Sequence, residues 1–393
     1  MQKKNVMKRP SSKRQILAAL LGLLGSCLII LFLWKTALGQ HLITLWLYPE
    51  PESKPPSVNY QATNLSDRFE QLWVLPLSLE SYRYGIGGIH LVGIDNNIII
   101  LGSLDRGKYG TLSLVNMDPL TADVNWELFE SSKFREGPAE TITANAEFIY
   151  VGFEGTGKIG GEMEWGAAKV IAYDINTGDV VWSKIIRGAR SIDSLVVSDT
   201  TVSVDGSFSS HYYTYDAKTG ALLTKREKTK ENFVWFIQDG IQYERISGEV
   251  TFQAVDAGTG TISWQSGVNY AVFQPPIISQ NIIVARAGEA KFLGLAFGID
   301  TTTGRTLWEY QNIIGNVTVD RDIAYFLTRD VQLWAVDIRT GERLGVVRFS
   351  PDAYPDSVNN AYHVAASNGI VVTYLGEGQQ MFAFRFSPEN PDG

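Results

Sequence analysis

The chain has 393 residues, of which 45% are hydrophobic and 19% are charged, and its formal net charge at pH 7 is -8. This negative charge argues against a nucleic-acid-binding protein, since phosphate contacts need a basic surface. The single cysteine, Cys27, excludes an internal disulfide and a thiolate metal centre, and the four histidines show no short metal-ligand spacing.

The N-terminal segment predicts a membrane anchor. Basic residues precede an uncharged apolar run from Ile16 to Trp34, and no acid occurs before Glu50. Such a run can cross a hydrocarbon core of about 30 Å. The bases before it place the N-terminus in the cytoplasm and the remaining chain outside. Two alternatives stay open: a lipoprotein anchored at Cys27, because Leu24-Gly25-Ser26-Cys27 resembles a lipobox, and a cleaved signal peptide.

One turn pattern recurs through the rest of the chain. At 172–182 an aspartate begins a polar turn, a glycine suited to positive φ follows four residues later, and a tryptophan follows after four more. The aspartates and glycines of this pattern are Asp118, Asp174, Gly178, Asp216, Gly220, Asp256, Gly260, Asp300, Gly304, Asp337 and Gly341. Copies at a spacing of roughly 40 residues, with only short strands between them, predict four-stranded propeller blades.

The tryptophans of the pattern are predicted to pack between neighbouring blades. They are Trp126, Trp182, Trp264 and Trp308, joined by Trp73 in a strand-like run near the start of the repeats. In two copies the tryptophan is replaced, by Thr224 and by Gly345.

The segments 172–182 and 254–264 share the pattern Ala-x-Asp-x-x-Thr-Gly-x-x-x-Trp, which resembles the repeat of PQQ-like β-propellers. That family includes quinoprotein alcohol dehydrogenases and outer-membrane assembly propellers of the BamB type. The resemblance covers residues 70–386 and implies an all-β propeller. The dehydrogenases carry a vicinal cysteine pair against the cofactor. Because the repeats of this chain lack cysteine, no cofactor is expected, PQQ included.

Seven blades are predicted, with eight as the alternative that the stretch 130–168 leaves open. The run 69–75 resembles a fourth strand without the first three, whereas 362–366, 369–375 and 380–386 resemble three strands without a fourth. Pairing these runs would complete the last blade and remove exposed sheet edges. Trp73 is then expected to pack within that composite blade.

The segment from 155 to 166 is predicted to be a partner-binding loop. Gly155, Gly157 and Gly160 match Gly-x-Gly-x-x-Gly, but no helix follows, so a dinucleotide site is not indicated. The loop lengthens one repeat, and Trp165 is expected to be exposed in it. Asp174 with Asn176 and Asp179 is too short for a calcium loop, and the histidines at 90, 211 and 363 are interpreted as structural.

These observations predict a membrane-anchored, extracytoplasmic propeller that binds or scaffolds other envelope or surface proteins. It is expected not to be an enzyme, and no catalytic, cofactor-binding or metal-binding residue is assigned. The alternative is a quinoprotein-like enzyme or a small-ligand sensor that uses the propeller channel. The predicted segments are a cytoplasmic basic tail (1–15), a transmembrane helix with an interfacial extension (16–48), a proline-rich linker (49–68), the propeller (69–388) and a tail (389–393).

Overall fold

The protein is described by a computed structural model. It describes residues 60–76, 89–105, 110–131, 139–154, 158–159, 162–163, 167–228, 232–238, 240–246, 252–256, 258–266, 276–287, 294–351, 362–376 and 380–388, which all fall within one compact unit, Pro56–Gly393. Within these residues the secondary structure consists of strands and turns, without a helix.

The strands of the described residues are, in chain order, β1 (Tyr60–Thr63), β2 (Phe69–Pro76), β3 (Ile89–Ile94), β4 (Asn97–Asp105), β5 (Gly110–Met117), β6 (Val124–Ser131), β7 (Ala139–Ala144), β8 (Phe148–Phe153), β9 (Lys158–Ile159), β10 (Glu162–Met163), β11 (Ala167–Asp174), β12 (Val180–Arg187), β13 (Ile192–Val197), β14 (Thr201–Gly206), β15 (His211–Asp216), β16 (Leu222–Glu227), β17 (Asn232–Gln238), β18 (Ile241–Ile246), β19 (Phe252–Asp256), β20 (Ile262–Ser266), β21 (Ile277–Ser279), β22 (Ile282–Ala287), β23 (Gly294–Asp300), β24 (Thr306–Asp320), β25 (Ile323–Thr328), β26 (Gln332–Asp337), β27 (Arg343–Pro351), β28 (Tyr362–Ser367), β29 (Ile370–Leu375) and β30 (Gln380–Phe386).

The strands pair antiparallel in sheets that follow one another along the chain. They are sheet A (β3–β6), sheet B (β7, β8, β11 and β12), sheet C (β13–β16), sheet D (β17–β20), the eight-stranded sheet E (β21–β27 with β1 at its edge) and sheet F (β28–β30 with β2), plus the small hairpin β9–β10. The long strand β24 makes sheet E continuous, because it pairs with β23 through its first half and with β25 through its second.

Apolar side chains pack successive sheets face to face and close the series into a ring. Separate clusters join A to B, B to C, C to D and E, the two halves of E, E to F, and F back to A. The innermost strands of sheets A, B, C, E and F line one central cavity. This arrangement is a β-propeller, in which radial sheets surround a channel.

The predicted pairing of the two ends of the repeat region is confirmed. Strand β2 pairs antiparallel with β30, from Phe69 opposite Phe386 to Pro76 opposite Gln380. Trp73 packs against the apolar cluster that joins sheets F and A, so its ring lies between two sheets and not within the composite blade alone. The closing strand thus covers the edge of β30, which would otherwise be unpaired.

Strand β1 lies within residues 49–68, which the sequence assigned to the linker. It adds to the edge of β27, with Tyr60 opposite Pro351. The ring of Tyr60 is fully buried, its hydroxyl lies 3.1 Å from that of Tyr362, and its amide donates to Gln380 Oε1 at 2.6 Å. The tyrosine binds this part of the predicted linker to the seam between sheets E and F, a tertiary contact that local composition could not reveal.

Each tryptophan of the repeat donates a hydrogen bond to the neighbouring repeat. The indole Nε1 bonds the carbonyl of the residue that follows the turn aspartate in that next repeat. The pairs are Trp73 with Pro119 at 2.8 Å, Trp126 with Ile175 at 2.8 Å, Trp182 with Ala217 at 2.9 Å, Trp264 with Thr301 at 2.5 Å and Trp308 with Ile338 at 2.6 Å. The tryptophan therefore fixes one repeat onto the turn of the next.

The turn glycine makes room for that tryptophan as well as adopting positive φ. A Cβ at Gly220 would lie 2.7 Å from the Trp182 ring, and one at Gly304 would lie 2.6 Å from Trp264. A Cβ at Gly260 would meet nothing within 4 Å, because the preceding repeat carries Thr224 in place of the tryptophan. The seam between sheets C and D therefore lacks the indole contact that the tryptophan-bearing copies make.

The propeller has two faces, because the connections of antiparallel strands alternate between their two ends. The turn face carries the aspartate turns and the turns between the first two strands of each repeat; the amide of Ile175 donates to the carbonyl of Glu147 between two such turns at 3.0 Å. The opposite face, here named the loop face, carries the connections between repeats and those between second and third strands.

Candidate interaction site

The predicted repeat residues lie on the turn face. In each turn, Oδ1 of the aspartate accepts backbone N–H bonds from residues two or three further on, as in Asp174, which accepts from Asn176 at 2.8 Å and from Thr177 at 3.0 Å. The equivalent aspartates are Asp118, Asp216, Asp256, Asp300 and Asp337. Hydrogen bonds from Thr219 lower the pKa of Asp216, and those from Thr259 lower that of Asp256. These carboxylates close turns and leave no chemistry to assign.

The glycines of the same turns close the ring of each turn. The amides of Gly178, Gly220, Gly260, Gly304 and Gly341 donate to the carbonyl of their aspartate, at 2.8 or 2.9 Å. Ala122 takes this place in the first copy, with φ of 63°. Among the described residues, no group of three or more His, Cys, Asp or Glu could hold a metal ion.

The predicted partner loop connects β8 to β11, the second and third strands of sheet B, and therefore belongs to the loop face. The structure describes two of its segments, 158–159 and 162–163, which pair as a hairpin; Gly155, Gly157, Gly160 and Trp165 lie outside the described residues. Glu154, at the base of the loop, accepts a hydrogen bond from Arg190 Nε at 3.1 Å. This bond ties the base of the loop to the connection that leads into sheet C.

Phe208 lies on the loop face next to that connection, and 82% of its surface is exposed. It occupies the turn between β14 and β15 with φ of 60°. A bulky residue in the left-handed region costs roughly 1–2 kcal/mol. An aromatic ring held in the solvent at such a cost is typical of a residue that contacts a partner.

The central cavity opens among polar side chains. Its volume is about 530 Å³, and its lining includes His90, Asp193, Asn316 and His363. Each of these residues lies on the innermost strand of its repeat, four positions before that strand ends at the turn face. They therefore occupy one level of the channel, towards the loop face. The rings of His90 and His363 have their centroids 5.0 Å apart, at an angle of 57°.

Two carboxylates lie near each other in sheet C: Asp193 lines the channel, and Asp205 lies on the next strand, β14. Asp205 is 3% exposed and forms an ion pair with Lys228. Burial raises the pKa of Asp205 to about 6, although Lys228 opposes the change. Burial also raises the pKa of Asp193, whose carboxylate accepts from Ser191 at 3.0 Å. The charge of this end of sheet C therefore responds to pH slightly below neutral.

His90 and Asp205 should give opposite contributions to the pH dependence of stability. Burial lowers the pKa of His90 from 6.5 to about 4, so between pH 7 and pH 5 the unfolded chain binds a proton that the folded chain does not. This destabilises the fold by about 2 kcal/mol at pH 5. Over the same change from pH 7 to pH 5, the folded chain binds a proton at Asp205 that the unfolded chain does not bind. This stabilises the fold by about 1 kcal/mol.

Urea unfolding of the full chain at pH 7 and pH 5 checks this prediction. His90→Gln should become more stable at pH 5 than at pH 7, and Asp205→Asn should lose more stability than the wild type on acidification. Equal pH dependence in all three chains would contradict the assignment.

Sequence reasoning missed the histidine pair and Phe208. His90 and His363 are far apart in sequence, but each is the second residue of the first strand of its repeat, and the two repeats become neighbours once the ring closes. Repeat alignment combined with closure could have paired them. Phe208 had a weaker signal, as one aromatic residue in the polar run Ser207–Ser210. His211, also interpreted as structural, bonds Ser210 Oγ through Nδ1 at 2.8 Å.

Comparison with known proteins identifies the family. The sequence profile of a PQQ-type repeat family, described as "Outer membrane protein assembly factor BamB", matches residues 93–266 and 213–348. Together these matches span more than half of the chain. The chain belongs to this BamB-type PQQ-like repeat family. The predicted resemblance is confirmed, and the turns on Asp118 to Asp337 all fall within the matched residues.

A curated member of the family gives a shorter match. The outer membrane protein assembly factor BamB of Nitrosomonas eutropha (strain DSM 101675 / C91 / Nm57) is 32% identical over 90 residues. The match covers 21% of this chain and 21% of the relative, so the chain spans about a fifth of the length of the curated relative it matches.

The chain is also similar to solved structures. A chain from the crystal structure of a mitotic checkpoint complex has a TM-score of 0.52 at 11% identity, covering 82% of this chain and 96% of that one. BamB from Moraxella catarrhalis has a TM-score of 0.46 at 12% identity, over 81% of this chain and 100% of that one. The designed protein Ika8 has a TM-score of 0.45 at 17% identity, over 78% and 98%.

The predicted transmembrane helix at 16–48 and the alternative lipid anchor at Cys27 lie outside the described residues. Within the part that the structure describes, no helix is long and apolar enough to cross a membrane.

Proposed function

We propose that this chain is a membrane-anchored, extracytoplasmic propeller that binds other envelope proteins and supports their assembly. The observation that carries the proposal is the BamB-type family match across residues 93–348, because the family is named for assembly of outer membrane proteins. The Nitrosomonas relative is named for the same role. The anchor rests on the uncharged run from Ile16 to Trp34 and the bases before it, with lipidation of Cys27 as the alternative.

The proposed propeller has seven blades. Sheets A, B, C, D and F supply one blade each, and sheet E supplies two that share β24. The register of β24 against β25 shifts between Ile314 and Val317, where the strand passes from the outer edge of one blade to the inner edge of the next. The stretch 130–168, which favoured an eighth blade, contributes β7, β8 and β11's first residues to the single sheet B.

The loop face beside sheet C is the proposed binding surface. It brings together the exposed ring of Phe208, the base of the predicted partner loop at Glu154, and Arg190, which bonds that glutamate. An exposed aromatic residue with a charged rim is typical of an interface anchor. The turn face, by contrast, uses its polar side chains within its own turns.

Site-specific photo-crosslinking in isolated membranes tests the proposal. A photoreactive amino acid replaces Phe208 on the loop face or, as the control, Leu120 on the turn face, which is 45% exposed. We expect a discrete adduct with an envelope protein from position 208 and none from position 120. We also expect Phe208→Ser to reduce capture of that protein by the full chain at least tenfold, as for an interface hot spot.

Equal labelling from both positions, or capture that is insensitive to Phe208→Ser, would contradict the proposed surface. Release of the chain from membranes by alkaline carbonate would contradict the proposed anchor. Cys27→Ala separates the two forms of anchoring, because only a lipoprotein depends on that sulfur.

A further inference from the structure

Arg286 is a buried cation without a counter-ion among the described residues. The side chain lies in β22 and is 8% exposed. Its Nε is buried without a hydrogen-bond acceptor, and burial lowers its pKa. Among the described residues, no carboxylate lies within ion-pair distance of it. A guanidinium stays protonated in proteins, so the charge is retained despite the burial.

The surroundings of Arg286 are apolar, and the backbone beside it leaves room for its side chain. Alternation along β22 places it on the same face as Ile282 and Val284, which pack in the cluster between the two halves of sheet E. A Cβ at Gly294 would lie 2.8 Å from Arg286 Nε. Any larger residue at 294 would displace the guanidinium, so the glycine permits the arginine to lie where it does.

The position of Arg286 near the end of β22 directs it towards the loop face. Strand β22 begins at the turn face after Asn281 and ends with Ala287, the residue that follows Arg286. The remaining exposure gives an approaching anion access to the charge. A planar guanidinium recognises the two oxygens of a carboxylate or phosphate through paired hydrogen bonds.

We propose that Arg286 is the cationic centre of an oxyanion site on the loop face, and that it takes a carboxylate or phosphate group. An unpaired buried charge is unfavourable, whereas a bound oxyanion supplies both the missing acceptor and the missing charge. The site stands whether or not the propeller acts as a scaffold.

Thermal unfolding of the full chain with glutarate or inorganic phosphate, at constant ionic strength, tests the site. At ten times the dissociation constant, the bound anion should raise the unfolding midpoint by roughly 2 °C. Arg286→Met should lose this response and should unfold, without anion, at a temperature equal to or above that of the wild type. The control Arg329→Met removes an exposed arginine from the same face and should keep the response.

A response to glutarate alone identifies a carboxylate site, and a response to phosphate alone identifies a phosphate site. An absent response in the wild type, or an equal response in Arg286→Met, overturns the proposal. A third result would also overturn it: the wild type shows no anion response, and Arg286→Met and Glu289→Gln lower the unfolding midpoint equally. Arg286 would then be paired with Glu289, the next acid along the chain.

Discussion

Replacing residues 69–76 by a glycine–serine segment of equal length should abolish cooperative folding of the propeller or lower its unfolding midpoint by more than about 10 °C. The closing strand β2 contributes the only cover of the outer edge of β30 that the described residues provide. Phe69 is 5% exposed and packs on Phe386 with ring centroids 4.9 Å apart. Loss of one large buried aromatic side chain alone costs about 3–5 kcal/mol.

The replacement also removes a contact across the seam between sheets F and A. Trp73 donates to the carbonyl of Pro119 and packs in the cluster that joins these sheets. Without it the last sheet loses both its fourth strand and its attachment to the first. Because a whole domain is stable by only about 5–15 kcal/mol, these losses together approach its entire stability.

Circular dichroism during heating measures the midpoint, and hydrogen exchange of the amides in 380–386 reports whether β30 has lost its partner. A double variant, Glu70→Ser with Val74→Ser, changes two exposed side chains of the same strand and should shift the midpoint by no more than about 2 °C. An unchanged midpoint after full replacement would show that the ring does not depend on this closure.

The repeat could be predicted because its signals are local. Asp174, Thr177 and Gly178 lie within one turn, and each has a backbone reason to be there that spacing alone makes visible. Closure could also be predicted. One end of the repeat region has a fourth strand without the first three, the other end has three strands without a fourth, and pairing them completes one sheet. The strand β1 gave no such signal, because Tyr60 is buried by contacts to Tyr362 and Gln380, which lie far away in sequence.

The candidate site depended on contacts that no local pattern contains. Phe208 and Arg286 have unusual burial for their residue types: Phe208 is an exposed aromatic ring, and Arg286 is a buried charge. In the sequence alone the burial of Arg286 is not visible, and Phe208 shows only as one aromatic residue in a polar run, because the exposure of a residue is set by its neighbours in the fold. The replacement of the tryptophan by Thr224 was visible in the sequence. Its consequence, the open space beside Gly260, could be recognised only from the packing of the neighbouring sheet.

Gly315→Ala should be among the most damaging single substitutions, with a loss of at least about 3 kcal/mol in the free energy of unfolding. Gly315 has φ of 67°, and a Cβ there would lie 2.0 Å from the carbonyl oxygen of Tyr362. The colliding atom belongs to the backbone of β28, so no side-chain rotation can relieve the contact. The innermost strands of sheets E and F would have to separate.

That separation would also disturb the next residue. Asn316 Nδ2 donates to the carbonyl of Val364 at 2.7 Å, and its Oδ1 accepts from the amide of Val364 at 2.7 Å. Both bonds cross the seam between sheets E and F beside the channel. Losing them would leave buried polar groups of β28 without partners, which adds to the cost of the collision.

Gly188→Ala is the matched control, because Gly188 has a similar φ of 79° but a Cβ there would meet nothing within 4 Å. Both substitutions impose the same left-handed strain, which costs about 1 kcal/mol, and only Gly315→Ala adds the collision with β28. Urea unfolding of the two variants therefore separates backbone strain from close approach. Equal losses would mean that β24 and β28 can move apart freely, and the close packing of the inner strands would then contribute little to holding sheets E and F together.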